Sequence, residues 1–172
     1  MNQHATLDKI TQMRLWGMKN ALEAAQHHTT PMTNEEFLAH LVEAEWTDRH
    51  NRRIERLLRN AKFRYQVTPA EIKYEPNRGL DKNRLLKLLD CSFIKQKENI
   101  IFTGPTGVGK SFVAAALGHQ ACMMGYKTMY FNTQKLFALL KAALADGTYY
   151  KFITKIENCL LYTSPSPRDP NR

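Results

Sequence analysis

Residues 99–118, NIIFTGPTGVGKSFVAAALG, constrain this chain more than any other stretch. A short apolar run ends in a glycine-rich loop, and an apolar run of helical character follows. The first run, near 100–103, has the composition of a buried parallel strand. Gly104-Pro105-Thr106-Gly107-Val108-Gly109-Lys110-Ser111 fits the spacing G-x-x-x-x-G-K-[ST]. Glycines at these positions let the backbone turn tightly, so successive N–H groups can converge on phosphate oxygens. Lys110 can bridge β- and γ-phosphates as a point charge, and Ser111 can offer its hydroxyl to Mg2+. A helix opening at Gly109 presents its positive end to the same anion. The strand before and the helix after set this apart from a chance glycine-rich turn. The chain carries no NKxD-type guanine signal, which leans the nucleotide toward ATP.

The rest of the chain supports an α/β domain behind a helical region. Residues 5–28 read as helical, with Leu7, Ile10, Met13, Met18 and Leu22 apolar and Gly17 expected to bend the run. After HHTTPMT a second helix opens on a capping box, Thr33 with Glu36, and runs free of Pro and Gly from Asn34 to about Ala61. VTPAEIKYEPNRGLDKN (67–83) reads as a turn-rich linker, and RLLKLLD (84–90) as a short amphipathic helix. Beyond the loop, KSFVAAALGHQACMMG is an apolar helix, a β-rich run covers 128–132, and QKLFALLKAALADG is a helix closed by Gly147. Strand, helix, strand, helix predicts a parallel sheet with flanking helices.

Charge supplies the second signal. The 172 residues carry a formal charge of +9, which favours a polyanionic partner. Arg49, Arg52, Arg53, Arg56 and Arg59 fall within about a third of a helical turn, and Lys62 and Arg64 extend the charge. Two readings stand: a stripe that binds DNA phosphates without reading bases, or a solvated face paired with Glu43, Glu45 and Asp48. Trp46, Phe63 and Tyr65 are expected to pack rather than stack on bases. His27 and His28 are expected to be a helix end, not ligands. No window approaches the roughly 18 apolar residues of a membrane span, and the first residues lack the apolar core of a signal peptide. Cys91, Cys122 and Cys159 are scattered and odd in number, as reduced thiols of a cytoplasmic protein would be.

Several stretches together resemble the IstB-like ATP-binding proteins, the transposition helper ATPases related to DnaC-type helicase loaders. They are MRLWGMKNALE, NEEFLAHLVEAEWTDRHNRRIERLLRNAKF, the run from GLDKN through the loop to FNTQKL, and LLKAALADGTYYKFITKI. The likeness covers about residues 6–157. It implies a partial AAA+ P-loop NTPase preceded by an all-α N-terminal domain. It further implies ATP and Mg2+ as cofactors, double-stranded DNA and a transposase as partners, a homo-oligomer, and a bacterial cytoplasmic setting. Residues 1–75 would form the helical domain with its basic helix, and 76–159 the first part of the ATPase domain. Gly104–Ser111 match the family's phosphate-binding loop, and the arginines from Arg49 to Arg64 match its basic region.

The chain departs from that pattern after KIEN. The family pattern calls for an apolar strand ending in two acids, whereas here CLL is followed by YTSPSPRDPNR. The expectation is a chain cut before the acidic pair, with 160–172 a non-native or disordered tail. In the family's sheet order 5-1-4-3-2, strands at 100–103 and 128–132 are not neighbours, so their backbone groups would lack ladder partners. Two alternatives remain beside the transposition helper. One is a helicase loader, which shares loop and sheet. The other, for the chain as it stands, is a nucleotide-binding module without hydrolysis. A small metabolite kinase would share the loop but has no need of the basic helical region before it.

Overall fold

The computed structural model describes residues 3–25, 32–73, 80–157, 159 and 161–163. The chain divides into two compact units, Met1–Glu55 and Arg56–Arg172.

In the first unit, α1 (Gln3–Gln12) and α2 (Trp16–Ala25) lead to α3 (Asn34–Ala61), whose last residues belong to the second unit. The bend expected at Gly17 falls earlier. Arg14 takes the left-handed conformation at φ 58°, and Leu15 N–H reaches back to the Ile10 carbonyl. That is a helix-ending loop in which an arginine fills the place glycine usually takes. Gly17 instead lies buried in the first turn of α2. A Cβ there would stand 2.4 Å from the Ala44 carbonyl oxygen and 2.6 Å from the Glu45 Cα. The missing side chain is what lets α2 touch the backbone of α3. The capping box at the start of α3 forms as expected: Thr33 N–H donates to Glu36 Oε2 at 2.8 Å, and Glu36 N–H to Thr33 Oγ1 at 3.3 Å. Residues 26–31, with His27 and His28, lie outside the described residues.

The second unit is built around α6 (Lys110–Met123). Val113, Ala115, Ala116 and Leu117 of α6 pack with Val67, Ile72 and Leu85. Val67 and Ile72 flank a 3-10 turn, Pro69–Glu71, inside the stretch expected to be a linker. That stretch is therefore partly core, because its apolar residues sit just where the turn can drop them onto α6. The short helix expected at 84–90 is α4 (Lys82–Leu89), opened by Asp81, whose carboxylate accepts from Asn83 and Arg84 N–H. It is followed by α5 (Ser92–Lys95). Cys91, Phe93, Ile94 and Ala121 form a second cluster, and Leu57, Ala61 and Cys122 a third.

Sheet structure is sparser than the sequence pattern predicts. β1 (Thr128–Tyr130) pairs in parallel with β2 (Leu161–Thr163), in the register Thr128↔Leu161, Met129↔Tyr162, Tyr130↔Thr163. β1 stops at Tyr130 because Asn132 caps α7 (Thr133–Ala145), accepting from Gln134 and Lys135 N–H. α8 (Tyr149–Glu157) then leads into β2. Residues 161–163, expected in a tail, thus hold a strand position, while 164–172 lie outside the described residues. The strand expected at 100–103 does not form. Among the described residues nothing pairs with it, and Ile101 is left 83% exposed. An extended segment becomes a strand only through a neighbour's ladder.

Candidate phosphate-binding loop and basic helix

The loop carries its turns on glycine. Gly104 has φ 143°, Gly107 89° and Gly109 92°, values that a residue with a Cβ rarely adopts. Gly104 through Val108 are exposed, whereas Gly109, Lys110 and Ser111 are partly buried where α6 begins. Gly109 is the residue before the helix and accepts from Phe112 and Val113 N–H. The amides of Lys110 and Ser111 precede the first intrahelical donors, as at any helix start. Lys110 folds back across the loop, its Nζ donating to the carbonyls of Gly104 at 2.7 Å and Pro105 at 2.6 Å. Both partners are neutral, and among the described residues no carboxylate pairs with Lys110. An ammonium and a helix N-terminus therefore share one small region without a countercharge. That donor set suits a phosphate chain. No group of three or more His, Cys, Asp or Glu side chains that could hold a metal occurs among the described residues.

The basic stripe divides into two kinds of arginine. Arg49 and Arg52 are engaged. Arg49 Nε lies 2.6 Å from Glu45 Oε1, and Arg52 is ion-paired to Asp48 and reaches Glu45 at 3.8 Å. For these two the expected pairing with acids of the same helix forms. The cause is Glu45, only 6% exposed. Its Oε2 accepts from the N–H groups of Gly17 at 2.9 Å and Met18 at 3.2 Å. Burial alone would push the Glu45 carboxyl up. The Arg49 hydrogen bond and the two amides outweigh it and hold the group below its ordinary value. Arg53, Arg56, Arg59 and Lys62 are exposed, and no carboxylate among the described residues pairs with them. Arg64 is exposed and lies over the Tyr65 ring at 5.2 Å.

The aromatic residues also separate. Phe63 packs on the Leu57, Ala61 and Cys122 cluster, and Tyr65 sits 6.3 Å from Phe112. Trp46 does not pack: it is 63% exposed, and its ring stacks on His50. Sequence pattern missed this because Trp46 continues the apolar spacing of Leu38 and Val42, which are themselves 62% and 50% exposed. The three cysteines are buried and free. Burial pushes the Cys91 thiol up to about 11, with Asp90 adding to the shift, so it is inert at neutral pH.

A family model for IstB-like ATP binding proteins matches residues 8–162. The chain belongs to this family. Among curated relatives, this IstB-like chain is 38% identical over 151 residues to an insertion sequence ATP-binding protein of Sinorhizobium fredii, covering 87% of the chain and 62% of the relative. It is 37% identical over 161 residues to the ATP-binding protein of insertion sequence IS1162 of Pseudomonas fluorescens, covering 91% and 68%. A third, in an insertion sequence of Mycobacterium tuberculosis, is 30% identical over 163 residues, covering 94% and 62%. The IstB-like chain thus spans roughly two thirds of the length of these relatives. No helix among its described residues is long and apolar enough to cross a membrane.

Proposed function

We propose that this IstB-like protein binds Mg2+–ATP at Gly104–Ser111 and double-stranded DNA through α3, acting with a transposase in the movement of an insertion sequence. The observation that carries it is the uncompensated positive charge of Lys110 at the start of α6, in a chain whose matched relatives are named as insertion sequence ATP-binding proteins. Loop amides and the Lys110 ammonium would hold the β- and γ-phosphates. The Ser111 hydroxyl would supply one oxygen to Mg2+, whose other ligands come from phosphate and water. Residues 1–75 serve as a helical DNA-binding region, and 76–159 as the first part of an AAA+ domain. Parallel pairing of β1 with β2 supports that plan, since strands 2 and 3 are adjacent in the order 5-1-4-3-2. A bacterial cytoplasmic homo-oligomer is the matching assembly.

Titration with ATP tests the loop. Lys110→Ala removes a charge-assisted contact worth about 1.5–3 kcal/mol, so affinity should fall about 10- to 150-fold. An unchanged affinity would sink the assignment.

The DNA reading has its own measurement. Arg56 and Arg59 are exposed and pair with no carboxylate among the described residues, so they report on phosphate contact without disturbing Glu45. Replacing both with Ala should weaken binding equally for unrelated duplexes. It should also flatten the slope of log K against log salt by roughly two, about one per lost contact. An unaltered slope points to a merely solvated face.

A further inference from the structure

Trp46 is an exposed aromatic residue that packing among the described residues leaves unexplained. Its ring lies parallel to that of His50, at an interplanar angle of 4° and a centroid separation of 5.4 Å. Arg49 and Arg53 stand three and seven residues further along α3, and His50 four, so all four share one side of the helix. Arg49 is steadied by Glu45, while Arg53 is exposed. Between Trp46 and Arg53 the sole acid is Asp48, which is paired with Arg52 and falls on the opposite side of the helix.

We propose that Trp46, stacked on His50 with Arg49 and Arg53 on the same side of the helix, is a platform for an unpaired nucleobase, so that α3 adds a grip on single-stranded or unstacked DNA to its phosphate contacts with duplex. This rests on the DNA-binding reading above. A base inside a duplex has both faces covered by its neighbours, so an aromatic ring gains nothing from it. An unpaired base offers a free face, and Arg53, exposed and without a carboxylate partner among the described residues, engages a phosphate of the strand that carries it. The rival occupant is an apolar helix from another protein, for which Leu38 and Val42 would extend the surface. Charge decides against it, because Arg53 on that face has no carboxylate partner among the described residues and would be buried against apolar groups without a counterion.

The test uses the whole chain with a fluorescent oligo-dT and a duplex of equal length. Trp46→Ala should weaken oligo-dT binding about tenfold and leave duplex binding within about twofold. Trp46→Phe should recover most of the loss. In a Trp16→Phe background Trp46 is the remaining tryptophan, and oligo-dT should quench its emission. Equal losses on both DNAs, or none on either, would overturn the platform while leaving duplex binding by α3 in place. A wild-type chain that binds neither DNA would overturn the DNA reading itself. Concentration-dependent self-association abolished by Leu38→Lys, with oligo-dT affinity unmoved by Trp46→Ala, would assign the face to a partner helix.

Discussion

Gly17→Ala is expected to lower the thermal midpoint by about 6–12 °C, the equivalent of roughly 3 kcal/mol in a domain of this size. The added methyl meets backbone, not a side chain that could swing aside: the Ala44 carbonyl at 2.4 Å and the Glu45 Cα at 2.6 Å. Overpacking of this kind costs about 1–3 kcal/mol. Moving α2 away to relieve it breaks a second interaction. The N–H groups of Gly17 and Met18 would lose Glu45 Oε2, leaving a buried carboxylate short of donors at about 1–3 kcal/mol more. A midpoint within a degree or two of wild type would show that the two helices are not held together by this contact. The same joint has a pH signature. Glu45 is held below its ordinary value of 4.5, so its contribution is complete above that pH and is lost as pH falls through the folded value. Glu45→Gln should remove that part of the acid-induced loss.

What the sequence made legible is what local chemistry decides. Thr33 and Glu36 are three residues apart, and their reciprocal bonds need nothing from elsewhere in the chain. The loop is similar: the glycines at 104, 107 and 109 take positive φ because the turn itself demands it. Closure of α7 at Gly147, with φ 68° and Thr148 N–H on the Ala143 carbonyl, is local as well. What stayed hidden depends on partners distant in sequence. Gly17 looks like a helix breaker until Ala44 and Glu45 are seen against it. Glu45 looks like one more surface acid, yet it is the buried anchor that claims Arg49 and reaches Arg52. NIIFTG has strand composition, but a strand needs a neighbour, and β1 is paired to β2 instead. Val67 and Ile72 sit in a turn-rich stretch whose polarity masked two core residues.

The 172-residue chain is expected to bind nucleotide without hydrolysing it, which is an all-or-none difference in turnover. Phosphate contact draws on groups local to the loop, whereas in-line attack needs a water held by a further group and charge stabilisation from outside the loop. The acids after the loop are Asp146, Glu157 and Asp169. Asp146 is the C-cap of α7, and topology separates Glu157, the last residue of α8, from the loop. α6 has 14 residues, about 21 Å at the usual helical rise, and its C-terminal end connects over a few residues to the start of β1. The loop is therefore toward the far end of that strand. β2 runs parallel to β1, and Glu157 ends the helix that enters β2. Asp146 and Glu157 are both exposed, neither pairs with Lys110 among the described residues, and Asp169 lies outside the described residues. Purified chain assayed with Mg2+–ATP, with and without DNA, should release phosphate no faster than the Lys110→Ala variant. Turnover above that blank would mean that one of the three acids reaches the γ-phosphate, and Asp146→Asn, Glu157→Gln and Asp169→Asn tested singly would identify which.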